Sequence, residues 1–268
     1  EHAQNSQTGS RPLSDSSWHS RRKFLSSPST AMSDHYMQPA VVFSHGKESG
    51  PWGSKITRLA KSAEALGYRV ASIDYQGEDD PAARLDTLLA HNPQGTPLVL
   101  VGSSMGGWIA TLVARALERD GDSPTAAGLV TIAAAVDFTE ELLPARLGPA
   151  ALAQIEANGH FEAPSEYADE PYVITRNLLE EGRNHLVLTD PLELDIPARL
   201  IHGSADPDVP WTQSQKLMDA LTSDDVELIL IKGGDHRLSE PRDLFRMTGI
   251  VARLCDQVSA SSAASPAR

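Results

Sequence analysis

The sequence predicts an α/β fold: about six mainly parallel strands with helices on both faces and a helical cap insertion. Three observations predict it. Short runs rich in Val, Ile and Leu alternate with helical patterns, which is the rhythm of a doubly wound sheet. Several of these runs are apolar at consecutive positions, as strands covered on both faces must be. One interval, Asp137 to Asp195, breaks the rhythm with no convincing central strand, and a long segment between two strands of a compact domain is usually functional.

The elements follow in order. Residues 1–39 are polar and Ser-rich, without periodic apolar positions, and read as a disordered or appended tail. The chain does not begin with Met, and Met32 and Met37 are candidate natural starts. Ser20-Arg21-Arg22-Lys23-Phe24-Leu25 resembles a twin-arginine export signal, but the apolar segment such a signal needs does not follow. Strands are expected at Ala40–Ser44, Arg69–Ile73, Leu98–Gly102, Gly128–Ala133, Ala198–His202 and Val226–Ile231. Helical patterns lie between them at 54–67, 81–90, 105–118 and 212–221, with a last one at 241–255. The 137–195 insertion carries helical patterns at 149–157 and 169–181, and 257–268 reads as a flexible tail. The domain is thus expected to span 40–256, with the insertion over the carboxyl ends of the strands, where such sheets bind ligands.

Composition narrows the function. The chain has 268 residues and a formal charge of −13, so it lacks the basic stripe that nucleic-acid binding requires. No apolar stretch reaches the length of a membrane span. The single cysteine, Cys255, builds neither a disulfide framework nor a cysteine-based zinc site, and without a glycine elbow around it reads as structural. There is no P-loop, no His-Glu-x-x-His and no dinucleotide fingerprint.

The strongest local signal is Leu98-Val99-Leu100-Val101-Gly102-Ser103-Ser104-Met105-Gly106-Gly107-Trp108: an apolar strand, Gly-x-Ser-x-Gly, then a helical pattern. A nucleophile must stand clear of the sheet on a tight, strained strand-to-helix turn, and glycines two before and two after leave room for neighbouring backbone. Ser104 fits that place; Ser103 lacks the flanking glycines. A serine hydroxyl also needs a base, and the base an orienting acid. On a sheet of this kind the acid comes next in the chain and the histidine last. After the strand ending at His202 stands Gly203-Ser204-Ala205-Asp206-Pro207-Asp208-Val209-Pro210, with Asp206 the expected acid and Asp208 its rival. After the last strand stands Lys232-Gly233-Gly234-Asp235-His236-Arg237, and His236 is the expected base. His202 lies inside a strand, and His91, His160 and His185 lie at helix ends or in the insertion, which are poorer contexts. The oxyanion hole should use the Met105 N–H and, from the loop after the first strand, the Lys47 N–H. His45, in the His-Gly of that loop, is expected to brace the turn.

The insertion carries Phe138, Leu142, Leu143, Leu147, Leu152, Ile155, Phe161, Tyr167, Tyr172 and Leu178. Leu142 and Leu143 are expected to wall an acyl pocket. Trp52, Trp108 and Trp211 flank the three catalytic loops in sequence and are expected to complete it.

These motifs resemble the α/β-hydrolase superfamily across residues 40–255. The Gly-Ser-Ser-Met-Gly-Gly-Trp elbow, the His-Gly-Ser-Ala-Asp-Pro-Asp-Val-Pro-Trp acid loop, the Gly-Asp-His-Arg loop and Ala163-Pro164-Ser165-Glu166-Tyr167 resemble the mitochondrial palmitoyl-protein thioesterase branch. Lys47-Glu48-Ser49 departs from that branch and is closer to bacterial hydrolases. The resemblance implies an α/β-hydrolase fold and hydrolysis of small acyl esters or thioesters without cofactor or metal. An amidase or peptidase with the same triad is the enzymatic rival, and a non-catalytic binding protein the rival of another class. A cytoplasmic location is expected, and the oligomeric state is left open.

Overall fold

The computed structural model describes residues 38–46, 53–75, 83–84, 87, 96–120, 125–164 and 171–264. The expected helix at 81–90 falls mostly outside the described residues. Six parallel strands form the main sheet: β1 (Ala40–Ser44), β2 (Arg69–Ser72), β3 (Leu98–Ser103), β4 (Ala126–Ile132), β7 (Ala198–Gly203) and β8 (Val226–Ile231), in the order β2-β1-β3-β4-β7-β8. Each strand matches its expected run to within two residues at either end. The order reverses between β1 and β3, and at such a switch point the loops leaving adjacent strands diverge and open a crevice.

Alternation along each strand divides the core between the two faces. Val41, Phe43, Val99 and Val101 point to α1 (Ser54–Ala65) and the last helix, α7 (Pro241–Ala264). Ala40, Val42, Leu98 and Leu100 point to α2 (Met105–Asp120) and α6 (Thr212–Ala220). The central strands β1, β3, β4 and β7 are buried almost throughout, which is why their sequences are apolar at consecutive positions.

The α7 helix continues past the expected end at 255, through Ala264, where a loose tail was expected from 257. Val258 is buried against the sheet, and the Ser259 and Ser261 hydroxyls donate to carbonyls one turn back, Cys255 and Gln257, so small polar residues are accommodated within the helix. Cys255 itself is fully buried, and burial pushes its thiol up to about 12.

Between β4 and β7 lie α3 (Phe138–Glu141), α4 (Leu143–Asn158), β5 (His160–Ala163), β6 (Tyr172–Thr175) and α5 (Arg176–Asn184). Two expectations are corrected here. The first helix starts at Leu143, not 149; Gly148, at φ 73°, kinks it, and the proline that follows reads in sequence as a helix start. The second, expected from 169, starts only at Arg176, because the β-branched run Val173-Ile174-Thr175 pairs antiparallel with His160–Ala163 instead. Thr175 then caps α5, its hydroxyl accepting from the Leu178 N–H at 3.1 Å. No helix among the described residues is long and apolar enough to cross a membrane.

Candidate active site

Ser104 joins β3 to α2 in a left-handed backbone conformation, φ 57°, which non-glycine residues adopt at a cost. Two glycines make the turn possible. A Cβ on Gly102 would lie 2.1 Å from the Gly106 carbonyl oxygen, and one on Gly106 would lie 2.2 Å from the Ser44 carbonyl oxygen. Both obstacles are backbone and cannot rotate away. Gly106→Ala should therefore destabilise the protein by about 3 kcal/mol, the upper end of ordinary overpacking. Gly249→Ala, in α7 with only the end of Arg253 nearby at 3.4 Å, should be neutral or stabilising by up to about 1 kcal/mol. Urea unfolding midpoints of the two variants measure the contrast.

The acid and histidine loops are joined backbone to backbone. The Ala205 N–H donates to the Gly234 carbonyl at 3.0 Å, and the Gly233 N–H donates to the Ser204 hydroxyl at 2.8 Å. The Asp235 carboxylate accepts from the Leu238 N–H at 2.8 Å and shapes the turn around His236. The result is a continuous chain of contacts. His236 Nε2 lies 3.1 Å from Ser104 Oγ, and His236 Nδ1 lies 2.8 Å from Asp206 Oδ2. Asp206 Oδ1 accepts from the Asp208 and Val209 N–H groups at 2.8 and 2.9 Å. Burial of Asp206 would raise its pKa, but hydrogen bonds from His202, His236 and the Val209 N–H outweigh burial and hold the carboxyl well below its usual range. Asp206 thus stays ionised throughout the neutral range.

Asp208 points elsewhere, pairing with Arg146 of α4 at 2.7 Å. Ligand atoms of Asp206, Asp208 and His236 lie within 4.8 Å of one another. Both Asp206 oxygens are already committed to N–H donors and Asp208 to a guanidinium, so the arrangement suits a proton relay better than a cation.

Two residues near the site carried no sequence motif. His202 is fully buried in β7; its Nε2 donates to the Val209 carbonyl at 2.9 Å and lies 3.3 Å from Asp206 Oδ2, while Nδ1 faces the Ser214 hydroxyl at 2.7 Å. It braces the acid loop from below. A histidine at the end of the apolar run Leu200-Ile201, four residues before the acid, was the available signal. Lys55, on the first turn of α1, donates from Nζ to Ser103 Oγ at 3.0 Å, and no pattern in the sequence announces it.

A cavity of about 700 Å³ opens onto Ser104 and His236. Phe138, Leu142, Leu143, Leu147, Phe161, Tyr172 and Ile174 of the insertion line it, with Met105 and Val209 from the body. The expected tryptophans fare differently. Trp108 is fully buried away from the cavity: its ring meets Phe138 edge-on at 5.6 Å, and its indole N–H donates to the His185 carbonyl at 3.2 Å. It fixes the root of the insertion instead of touching substrate. Trp211 precedes α6 and is not among the described residues that line the cavity. Trp52 and Lys47 lie outside the described residues. The Met105 N–H is the first of α2, among the N–H groups a helix leaves without an intrahelical partner. His45 is buried beside the Tyr75 ring at 4.9 Å, and its Nδ1 donates to the Gly46 carbonyl at 2.7 Å, which stiffens the loop after β1.

The insertion begins and ends at one point. Asp137, buried at φ 51°, accepts from the Val187 N–H at 3.0 Å and the Leu188 N–H at 2.8 Å. Burial raises its pKa against the pull of those two N–H groups.

The sequence profile of the Alpha/beta hydrolase family matches residues 41–247. The mitochondrial palmitoyl-protein thioesterase ABHD10 of Mus musculus is 30% identical over 233 residues, covering 82% of this chain and 76% of that protein. Its Homo sapiens counterpart is 30% identical over 237 residues, covering 82% and 74%. A solved structure from Agrobacterium vitis S4 is 34% identical, with a TM-score of 0.76 over 82% of this chain and 89% of that one. Mouse alpha/beta hydrolase domain-containing protein 10 superposes with a TM-score of 0.71 at 28% identity, covering 82% and 90%.

Proposed function

The chain belongs to the Alpha/beta hydrolase family, and from that premise we propose that it hydrolyses carboxylic esters or acyl thioesters through a Ser104–His236–Asp206 triad and an acyl-enzyme intermediate. One observation carries the reading: the Ser104 Oγ–His236–Asp206 contacts at 3.1 and 2.8 Å. His236 Nε2 takes the Ser104 proton as Oγ attacks the acyl carbonyl. Asp206 holds the imidazole with its proton on Nδ1 and stabilises the cation that forms. The Met105 N–H, joined by the Lys47 N–H from the loop after β1, receives the oxyanion. His236 returns the proton to the leaving alcohol or thiol, then activates water to release the acid. The names of the curated relatives support acyl thioesters as substrates, and the apolar cavity supports an acyl chain of some length.

The test is hydrolysis of nitrophenyl esters from acetate upward, with a matched acyl thioester and amide beside them. Each enclosed methylene contributes about 0.8 kcal/mol, so two extra carbons should raise kcat/KM by roughly 15-fold until the pocket ends. Leu142→Ala and Leu143→Ala should lower the octanoate-to-acetate ratio of kcat/KM by about fourfold per methylene no longer enclosed. Unchanged ratios in both variants would remove these leucines from the acyl wall. An amide turned over faster than its ester would overturn the substrate class.

A further inference from the structure

We propose that Lys55 is a positioning residue of this reaction: its ammonium ties the nucleophile elbow, through Ser103, to the loop that carries His236, and so holds Ser104 and His236 at attack distance. The proposal rests on the triad reading above. Lys55 leaves the first turn of α1 and lines the same cavity as Ser104 and His236. Its Nζ donates to the hydroxyl of the residue immediately before the nucleophile at 3.0 Å. The charged groups that act on it, among the described residues, are Asp235 and Asp206, which attract it, and Arg237, which repels it. Asp235 and Arg237 flank His236 on one loop, and Asp206 is the histidine's own partner. One cation therefore touches the elbow, shares a cavity wall with His236 and Arg237, and is attracted by Asp235 and Asp206 on the two loops that meet there.

An unconstrained lysine turns its amine to water. This one keeps its amine in the cavity wall, where desolvation pushes it down to about 8 although Asp235 and Asp206 oppose the change. A methionine would fill the same space without that cost. The ammonium is fully formed below this value and is lost as pH rises through it. Its pull on the histidine loop goes with it, so kcat/KM should turn down above about pH 8.

The experiment compares the parent with Lys55→Met and Lys55→Arg, using a nitrophenyl butyrate pH profile, thermal unfolding and the rate of fluorophosphonate labelling. Lys55→Met should lose about tenfold or more in kcat with KM within about twofold, since small misplacements at the reacting atoms act on kcat. Its alkaline limb should vanish, and its melting temperature should match or exceed the parent's, because a desolvated cation has gone. Lys55→Arg, which does not titrate below about pH 12, should keep most of kcat without the limb. Parental kcat in Lys55→Met, or a limb near pH 8 in either variant, overturns the proposal; should Lys55→Met fail to fold, Lys55→Arg decides alone. If the parent is not labelled at Ser104, the triad reading has failed and this proposal with it. If the parent is labelled and Lys55→Met is labelled at the same rate, only the role of Lys55 has failed.

Discussion

On the proposed triad, Ser104→Ala should lower kcat by about 10³-fold or more while the protein stays folded, because it removes the oxygen assigned to carry the acyl group. The backbone should not object. Alanine keeps the Cβ that serine already tolerates at φ 57°, and the Ser104 N–H to Ile132 carbonyl contact at 2.9 Å does not involve the side chain. Fluorophosphonate should form an adduct on Ser104 in the parent and none in the variant, as read by mass spectrometry. Residual turnover above the background rate would come from the oxyanion donors and binding alone. An adduct on Ser103 or Cys255 would reassign the nucleophile, although the burial of Cys255 makes its thiol a poor one.

Asp206→Asn should cost on the order of 10⁴-fold in kcat. The fold dictates how the new amide sits. The Asp208 and Val209 N–H groups donate to Oδ1 at 2.8 and 2.9 Å, so the amide oxygen must stay there. The amide nitrogen then replaces Oδ2 and offers protons to His236 Nδ1. His236 can accept only by moving its own proton to Nε2, where it faces Ser104 and can no longer act as a base. The same nitrogen also meets the Nε2 proton of His202 at the 3.3 Å contact, so some stability should be lost as well. Asp208→Asn weakens the pair with Arg146, whose side chain is largely exposed, and such pairs contribute about 0–1 kcal/mol. Its kcat should stay within about threefold of the parent. Reversed losses in kcat for the two variants would make Asp208 the acid.

The residues explain which parts of this protein could be read from its sequence. The four central strands β1, β3, β4 and β7 were legible because burial on both faces forces apolar residues at consecutive positions, and the half-buried edge strands β2 and β8 because they keep the same short Val- and Ile-containing runs between helices. The Ser104, Asp206 and His236 positions were legible because each sits in a loop whose glycines are demanded by backbone contacts: Gly102 and Gly106 at the elbow, and Gly203, whose Cβ would meet the Gly234 carbonyl at 2.3 Å. The hairpin β5–β6 was not legible, since its strands are short and half exposed and eight residues separate them in the sequence. Trp108 misled because nearness to Ser104 in the chain does not fix which way an indole points. Lys55 meets Ser103 only once the chain has folded, across a separation of 48 residues. The helix past 255 was read as a tail because Ser and Ala are equally at home in both states until a buried neighbour such as Val258 decides between them.

The meeting of the insertion's two ends at Asp137 has a consequence for how such a protein diversifies. A segment that departs and returns through one anchored point is closed independently of its length, and each doubling of a closed loop costs only about 0.6 kcal/mol in chain entropy. Lineages can therefore lengthen, trim or exchange everything between Phe138 and Leu186 while β4, β7 and their loops stay where they are. On the proposed reaction, a chimera that keeps Asp137 and the Val187-Leu188 pair, and borrows the intervening segment from a relative, should take its chain-length preference from the donor and its triad from the recipient.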